Sequence, residues 1–252
     1  MTRMLVLAGL MLVACQVDAA GLNGAEAAEK MRQARLSDGF EARMDVLVTL
    51  PDGAHPAPLK LSVIGQMTRE RQRVLVRGIA PASVKDRYIV AERVTGGSVR
   101  AWRYDAKLKP QAVSPMEGIF GSSLAVWDFF TPWWGWHKQE MLGAGKVRGH
   151  DCDKIRSQAD QPADKVQYVE SCIDSKTGVA FETRQYDARH VLQRESSVVA
   201  LIRKESGGQA AKKSRVKDGS GKVSAIDVYA GDEEYQVTAE TFAVLDRLSA
   251  DQ

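Results

Sequence analysis

From residue 40 onward, apolar and polar residues trade places with a period of two. In "FEARMDVLVTL" the residues Phe40, Ala42, Met44, Val46 and Val48 fall on one side and the intervening residues on the other. That spacing predicts a half-buried strand, because successive side chains of an extended chain point to opposite faces. Similar strand patterns return in 59–68, 71–79, 86–94 and 99–106, and again in 179–188, 190–204, 223–229 and 233–237. Turn-rich stretches such as "PDGAHPAP" and "TGGS" separate the runs.

Two segments break the period. In "NGAEAAEKMRQARL", Ala27, Met31 and Ala34 recur at helical spacing, Asn23 can cap the first turn, and Glu26 stands where a capping box needs it. Gly39 lies near the expected stop. In "TAETFAVLDRL", Thr238 is the expected cap, with Phe242, Leu245 and Leu248 on one side. Roughly ten strands with turn signals between them, and no strand–helix–strand alternation, argue for antiparallel pairing. The expected class is α+β: a single curved antiparallel sheet forming an open half-barrel, with two or three helices covering its concave face.

One stretch fits neither period. "WDFFTPWWGW" holds four of the five tryptophans, with Phe129 and Phe130 among them. Pro132 divides it, since proline lacks an N–H and disfavours helical geometry in the residue before it. Trp127, Phe129 and Phe130 then belong to a short helix. Trp133, Trp134 and Trp136 are expected in an extended stretch, with Trp134 and Trp136 on one face and Trp133 on the other. Core packing, the lining of an apolar cavity, and a rim facing a membrane or a partner are three uses for such a cluster.

The N-terminus reads as an address. Arg3 precedes an apolar run from Met4 to Ala14, followed by small residues. The run is too short for a bilayer core of about 30 Å and fits a secretory signal peptide over residues 1–20. Two processing routes stay open. "Leu-Val-Ala-Cys" at 12–15 matches a lipobox that would make Cys15 the lipidated N-terminus, and Gln16 after it then favours anchoring at the outer membrane. "Val-Asp-Ala" at 17–19 matches ordinary cleavage. Export to an oxidising compartment leaves Cys152 and Cys172, which are equidistant from Pro162. A hairpin turning about Pro162 would face them across two strands, within reach of a disulfide.

Charge and motifs narrow the chemistry. A net charge of +3 with dispersed Lys and Arg gives no nucleic-acid footprint. The basic concentration at 205–222 reads as a solvated, flexible loop. His55, His137, His150 and His190 are scattered, and no nucleophile elbow, P-loop, dinucleotide fingerprint or zinc helix occurs. The reading is therefore of a binder with no catalytic residues, metal or cofactor.

Beginning at "MEGIFGSSLAVWDFF" the chain resembles the bacterial outer-membrane lipoprotein-sorting (LolA-like) proteins. Trp102 and Tyr104 match a strand "W-x-Y" pair of that family, Phe120-Gly121-Ser122 its turn, and Asp128 the acid of the following short helix. Gly149 and Cys152, and then Asp174 with Tyr186-Asp187, fall in its next segments. Ser123 stands where the family carries an acid, and the tryptophan content after Asp128 is heavier than the family pattern. The resemblance spans about residues 24–204. It implies one lipid-binding domain over 21–252, an open half-barrel lidded by helices, and an apolar cavity for acyl chains crossing the periplasm of a Gram-negative bacterium. Trp102, Phe120, Trp127, Phe130, Trp134 and Trp136 are the candidate lining. Lipid or lipoprotein acyl chains, with an inner-membrane transporter or an outer-membrane acceptor, are the implied partners. A lipid-sensing regulatory or assembly factor of the same fold, with 205–222 as its contact element, is the second reading.

Overall fold

The computed structural model describes residues 23–105, 109–163, 165–203 and 207–250. The expected signal peptide, and Cys15 with it, lies outside them. Helix α1 (Gly24–Gln33) begins with the capping box its sequence encodes. Asn23 Oδ1 accepts the Glu26 N–H at 2.9 Å, and Glu26 Oε2 accepts the Asn23 N–H at 3.2 Å. Strands β1 (Ser37–Thr49), β2 (Leu59–Met67), β3 (Arg71–Ala80), β4 (Arg87–Val94), β5 (Arg100–Asp105) and β6 (Gln111–Val113) follow. After the short helix α2 (Trp127–Phe130) come β7 (Lys138–Val147), β8 (His150–Ala163), β9 (Val166–Asp174) and β10 (Val179–Tyr186). β11 (Leu192–Arg203), β12 (Gln209–Asp218), β13 (Val223–Asp232) and helix α3 (Ala243–Ala250) complete the order.

Among the described residues thirteen strands form one antiparallel sheet, in the order β6-β5-β4-β3-β2-β1-β13-β12-β11-β10-β9-β8-β7. Two meanders meet where the last strand pairs with the first, Val46 opposite Ile226. The two sheet edges, β6 and β7, are therefore consecutive in the chain. Residues 114–137 must run from one edge to the other, and this path carries them across the open mouth of the half-barrel.

The strand period sets the two faces. Val63, Val74, Val76, Ile89, Ala91, Val169 and Ile173 join α1 and α2 in one large core on the inner, concave face. Val90, between Ile89 and Ala91, points the other way and packs with Trp102, Phe242 and Leu245. Helix α3 thus covers the outer face, not the concave one. Gly24 lets α1 seat on β7, because a Cβ there would run into the Gln139 carbonyl.

Three expectations are corrected. Residues 233–237 are not a strand, while β6, β7 and β12 extend the sheet beyond the expected set. The expected basic loop at 205–222 contains β12. Gln209, Ala211, Lys213, Arg215 and Lys217 are exposed while Val216 is buried and Lys212 half-buried. The period of two is present, with lysine and serine at positions where alanine or valine would have shown it. Lys212 Nζ bonds Asp227 Oδ1 at 3.1 Å and the Val228 carbonyl at 2.7 Å. Bonds from Lys213 and Lys212 hold the Asp227 carboxyl below its ordinary pKa.

Cys152 and Cys172 are disulfide-bonded, with Cα atoms 5.4 Å apart. The register differs from the expected one, however. Lys154, not Cys152, stands opposite Cys172, and the hairpin closes at Ala163 and Val166 rather than about Pro162. An irregularity between Gln158 and Ala163 shifts the pairing, so the bridge runs diagonally.

Candidate functional site

The crossing segment is a lid of three short helical pieces. The first is a 3-10 turn, Ile119–Gly121, closed by the bridge Gly118–Ala125. Gly118 is required there, since a Cβ would collide with the Ser122 carbonyl. Phe120 sits in the left-handed region (φ 48) and packs, half-buried, on the inner core. Helix α2 follows and stops at Thr131, which is also left-handed (φ 42, ψ 54).

Pro132 then opens a second 3-10 turn, Pro132–Gly135. Its fixed φ and missing N–H suit the first position of a helical turn. The expected extended stretch is therefore replaced by a turn, and the consequence is large. In a strand Trp133 and Trp134 would face opposite ways. In a 3-10 turn neighbours differ by about 120°, and both indoles enter the same core, with 2% and 4% of their surface exposed. Their ring centroids lie 5.8 Å apart. Trp136 packs partly buried against the same cluster.

Trp127, Phe130 and Trp134, all buried, thus gather on the inner face with Phe120 and Trp136. Trp102 does not. It lies on the outer face beneath α3, with Arg100 over its ring at 5.6 Å. Its neighbour Ala101 is the residue of β5 that points inward. The strand alternation that exposed the "W-x-Y" pair in the sequence also sends both of its aromatics outward, Tyr104 stacking on Tyr88 at 5.1 Å.

The lid's aromatic side chains fill the concave face, and polar bonds fasten the lid to the wall. Arg194 of β11, 3% exposed, donates through Nε to Asp128 Oδ1 at 2.8 Å and through Nη2 to Asp128 Oδ2 at 2.6 Å. The same Nη2 donates to the Ser123 carbonyl, and Asp128 Oδ2 accepts the Ala125 N–H at 2.9 Å. Trp127 Nε1 donates to Gln185 Oε1 of β10 at 3.1 Å. The Ser123 N–H donates to Ser224 Oγ of β13 at 2.8 Å, and Ser123 Oγ to the Val216 carbonyl of β12 at 2.8 Å. Gln139 Nε2 of β7 holds the Trp133 and Trp136 carbonyls, each at 2.8 Å. Arg35 Nη2 donates to the Phe129 carbonyl at 2.8 Å.

Asp128 was visible in the sequence as the acid of the short helix that the family resemblance marks. Its partner lies 66 positions away, and no local signal marks Arg194, Gln185 or Ser224 as lid anchors. At the lid's far end, the Arg93 guanidinium lies against Gly135. Burial and the nearby Arg32 lower its pKa.

The remaining chemistry is sparse. Among the described residues no group of three His, Cys, Asp or Glu side chains could hold a metal ion. His150 stacks on Phe181, His190 bonds Tyr168, and His55 bonds Thr49. A cavity of about 430 Å³ opens on the outer face, with Ile64, Leu75, Ile79 and Tyr88 in its lining. Four of its five charged residues are paired, Arg77 with Asp86 at 2.5 Å and Arg43 with Glu41 at 3.2 Å, and Lys85 is the fifth. No helix among the described residues is long and apolar enough to cross a membrane.

Solved structures share this architecture. A protein domain described as outer-membrane lipoprotein-sorting, from Vibrio parahaemolyticus, superposes with a TM-score of 0.77 at 14% identity, over 87% of this chain and 95% of the other. A DUF1329 family protein from Desulfovibrio piger gives 0.77 at 15% identity over 87% and 95%. A LolA superfamily protein from Nitrosomonas europaea gives 0.70 at 16% identity over 88% and 98%. No curated protein matches by sequence. A family model with the description "uncharacterized protein" matches residues 70–242. The chain belongs to that family, and its fold is the open half-barrel of the LolA-like, lipoprotein-sorting proteins.

Proposed function

We propose that this protein is a non-enzymatic carrier or binder of acyl chains, those of lipids or of lipoproteins, working in the periplasm after export by its N-terminal signal peptide. The observation that carries this reading is the inner face. Apolar side chains from both meanders line it, and they are covered by α1 and by a short lid whose own aromatics occupy the space an acyl chain would take. Replacing indole and phenyl rings with methylenes keeps the interior apolar. Each methylene moved out of water contributes about 0.8 kcal/mol, so a long chain binds without specific polar contacts.

The lid's fastening suits repeated opening. Its α-helical part is only Trp127–Phe130, and its ties to the wall are hydrogen bonds and one ion pair rather than continuous strand pairing. Trp127, Phe130, Trp134, Trp136 and Phe120 are the side chains that would meet the cargo. Trp102 is not among them. Titrating the mature protein with a fluorescent acyl probe tests the reading. Saturable binding that is lost on denaturation is expected. Signal no greater than that of the denatured control removes the proposal.

A further inference from the structure

Among the described residues, three buried side-chain atoms have no hydrogen-bond partner in the protein: Gln72 Oε1, Trp133 Nε1 and Ser171 Oγ. All three belong to the inner face. Gln72 alternates with Val74 and Val76 on β3, and Ser171 with Val169 and Ile173 on β9, residues of the inner core. Trp133 is in that core directly. Buried polar atoms in native proteins are overwhelmingly satisfied, and an orphan costs free energy. The contrast within this interior sharpens the point. Asp128, Arg194, Gln185, Trp127, Ser123 and Ser224, buried or nearly so, are all bonded.

Trp133 Nε1 and Ser171 Oγ are both able to donate. The Trp133 turn packs against β8, and Ser171 faces Ile155 of the same strand. Each keeps only 2–3% of its surface exposed, so neither is served by bulk solvent. An entirely hydrocarbon cargo would leave both unsatisfied, and a cargo bringing an acceptor inside would satisfy them.

Resting on the acyl-carrier reading, we infer that the interior recognises the acyl carbonyl as well as the chain, with Trp133 Nε1 as its principal donor and Ser171 Oγ as the second. Ester and amide linkages share this group. The acceptor Gln72 Oε1 suits a hydroxyl or N–H on the same molecule.

The test uses matched competitors against the bound fluorescent acyl probe: glycerol monopalmitate and glycerol monohexadecyl ether, which differ only in the carbonyl. N-palmitoylethanolamine serves as the amide arm. One additional neutral hydrogen bond predicts that the ester displaces the probe at about fivefold to tenfold lower concentration than the ether. Trp133→Phe, which removes the N–H and keeps an aromatic ring, should abolish that preference, read as the ratio of ester to ether displacement within the variant. Ser171→Ala should reduce the preference, and it supplies the variant test if Trp133→Phe does not fold. The amide arm shows whether N-acyl and O-acyl linkages are both accepted. Equal displacement by ester and ether in the unaltered protein, or a preference that persists in Trp133→Phe, overturns the inference alone. Failure of every acyl compound to displace or bind overturns the carrier reading together with it.

Discussion

The two faces of the sheet each bury a carboxylate among arginines, and they do so differently. On the outer face Glu92, 2% exposed, is held by Arg71 at 2.8 Å and Arg100 at 2.6 Å, both on adjacent strands. Both arginines keep a third or more of their surface in water. On the inner face Asp128 belongs to the lid and Arg194 to the wall, and Arg194 is almost wholly buried. The outer arrangement is completed by the sheet itself and by α3. The inner one exists only while the lid is down. The same chemistry thus serves as reinforcement on one side and as a latch on the other.

Aromatic truncation is expected to break the comparison most strongly. Trp127→Ala removes a fully buried indole and its bond to Gln185, at a cost of about 4 kcal/mol. Trp102→Ala on the outer face is expected to cost about 3 kcal/mol. Urea unfolding measures both. The two should separate in acyl-probe affinity, which falls for Trp127→Ala and is unchanged for Trp102→Ala. Equal affinity losses would mean that the inner and outer faces are not functionally distinct.

The ion pairs sharpen it further. Arg194→Met leaves Asp128 beneath the lid without its partner and should cost on the order of 3 kcal/mol. Adding Asp128→Asn should recover much of that loss. Glu92→Gln, whose arginine partners can return to solvent, should cost about 1 kcal/mol. Stopped-flow mixing with the probe should show faster association for Arg194→Met and no change for Glu92→Gln.

These differences trace to what local sequence encodes. The strands of the first meander were legible because Val, Ile and Leu alternate with polar residues, and α1 because its cap residues are adjacent in sequence. β12 was hidden by Lys212 and Ser214 at inward positions, since a polarity pattern cannot show that a lysine stem is half-buried while its ammonium reaches Asp227 and the Val228 carbonyl of the next strand. The tryptophan segment was divided correctly at Pro132 but given the wrong geometry. Proline ends one helix and can begin another, and only the left-handed Thr131 tells which. The two-faced distribution of Trp133 and Trp134 expected from an extended chain dissolves once the chain turns. Trp102 shows the converse failure. A sequence match located the residue, but which face of the strand it occupies is decided by packing against α3, far along the chain. The Asp128–Arg194 latch joins positions that only the sheet order brings together.

The tryptophans also provide the most direct test of the central claim, that acyl chains enter the inner face. Four of the five sit in the lid, and Trp102 lies on the outer face. Bromine quenches indole emission on contact, so a brominated fatty acid reports where its chain resides. Titration of the folded protein should quench emission saturably, and Trp102→Phe should raise the quenched fraction, because the remaining emission comes only from the lid. Unquenched emission from folded protein, or quenching that vanishes in Trp102→Phe, would contradict the account.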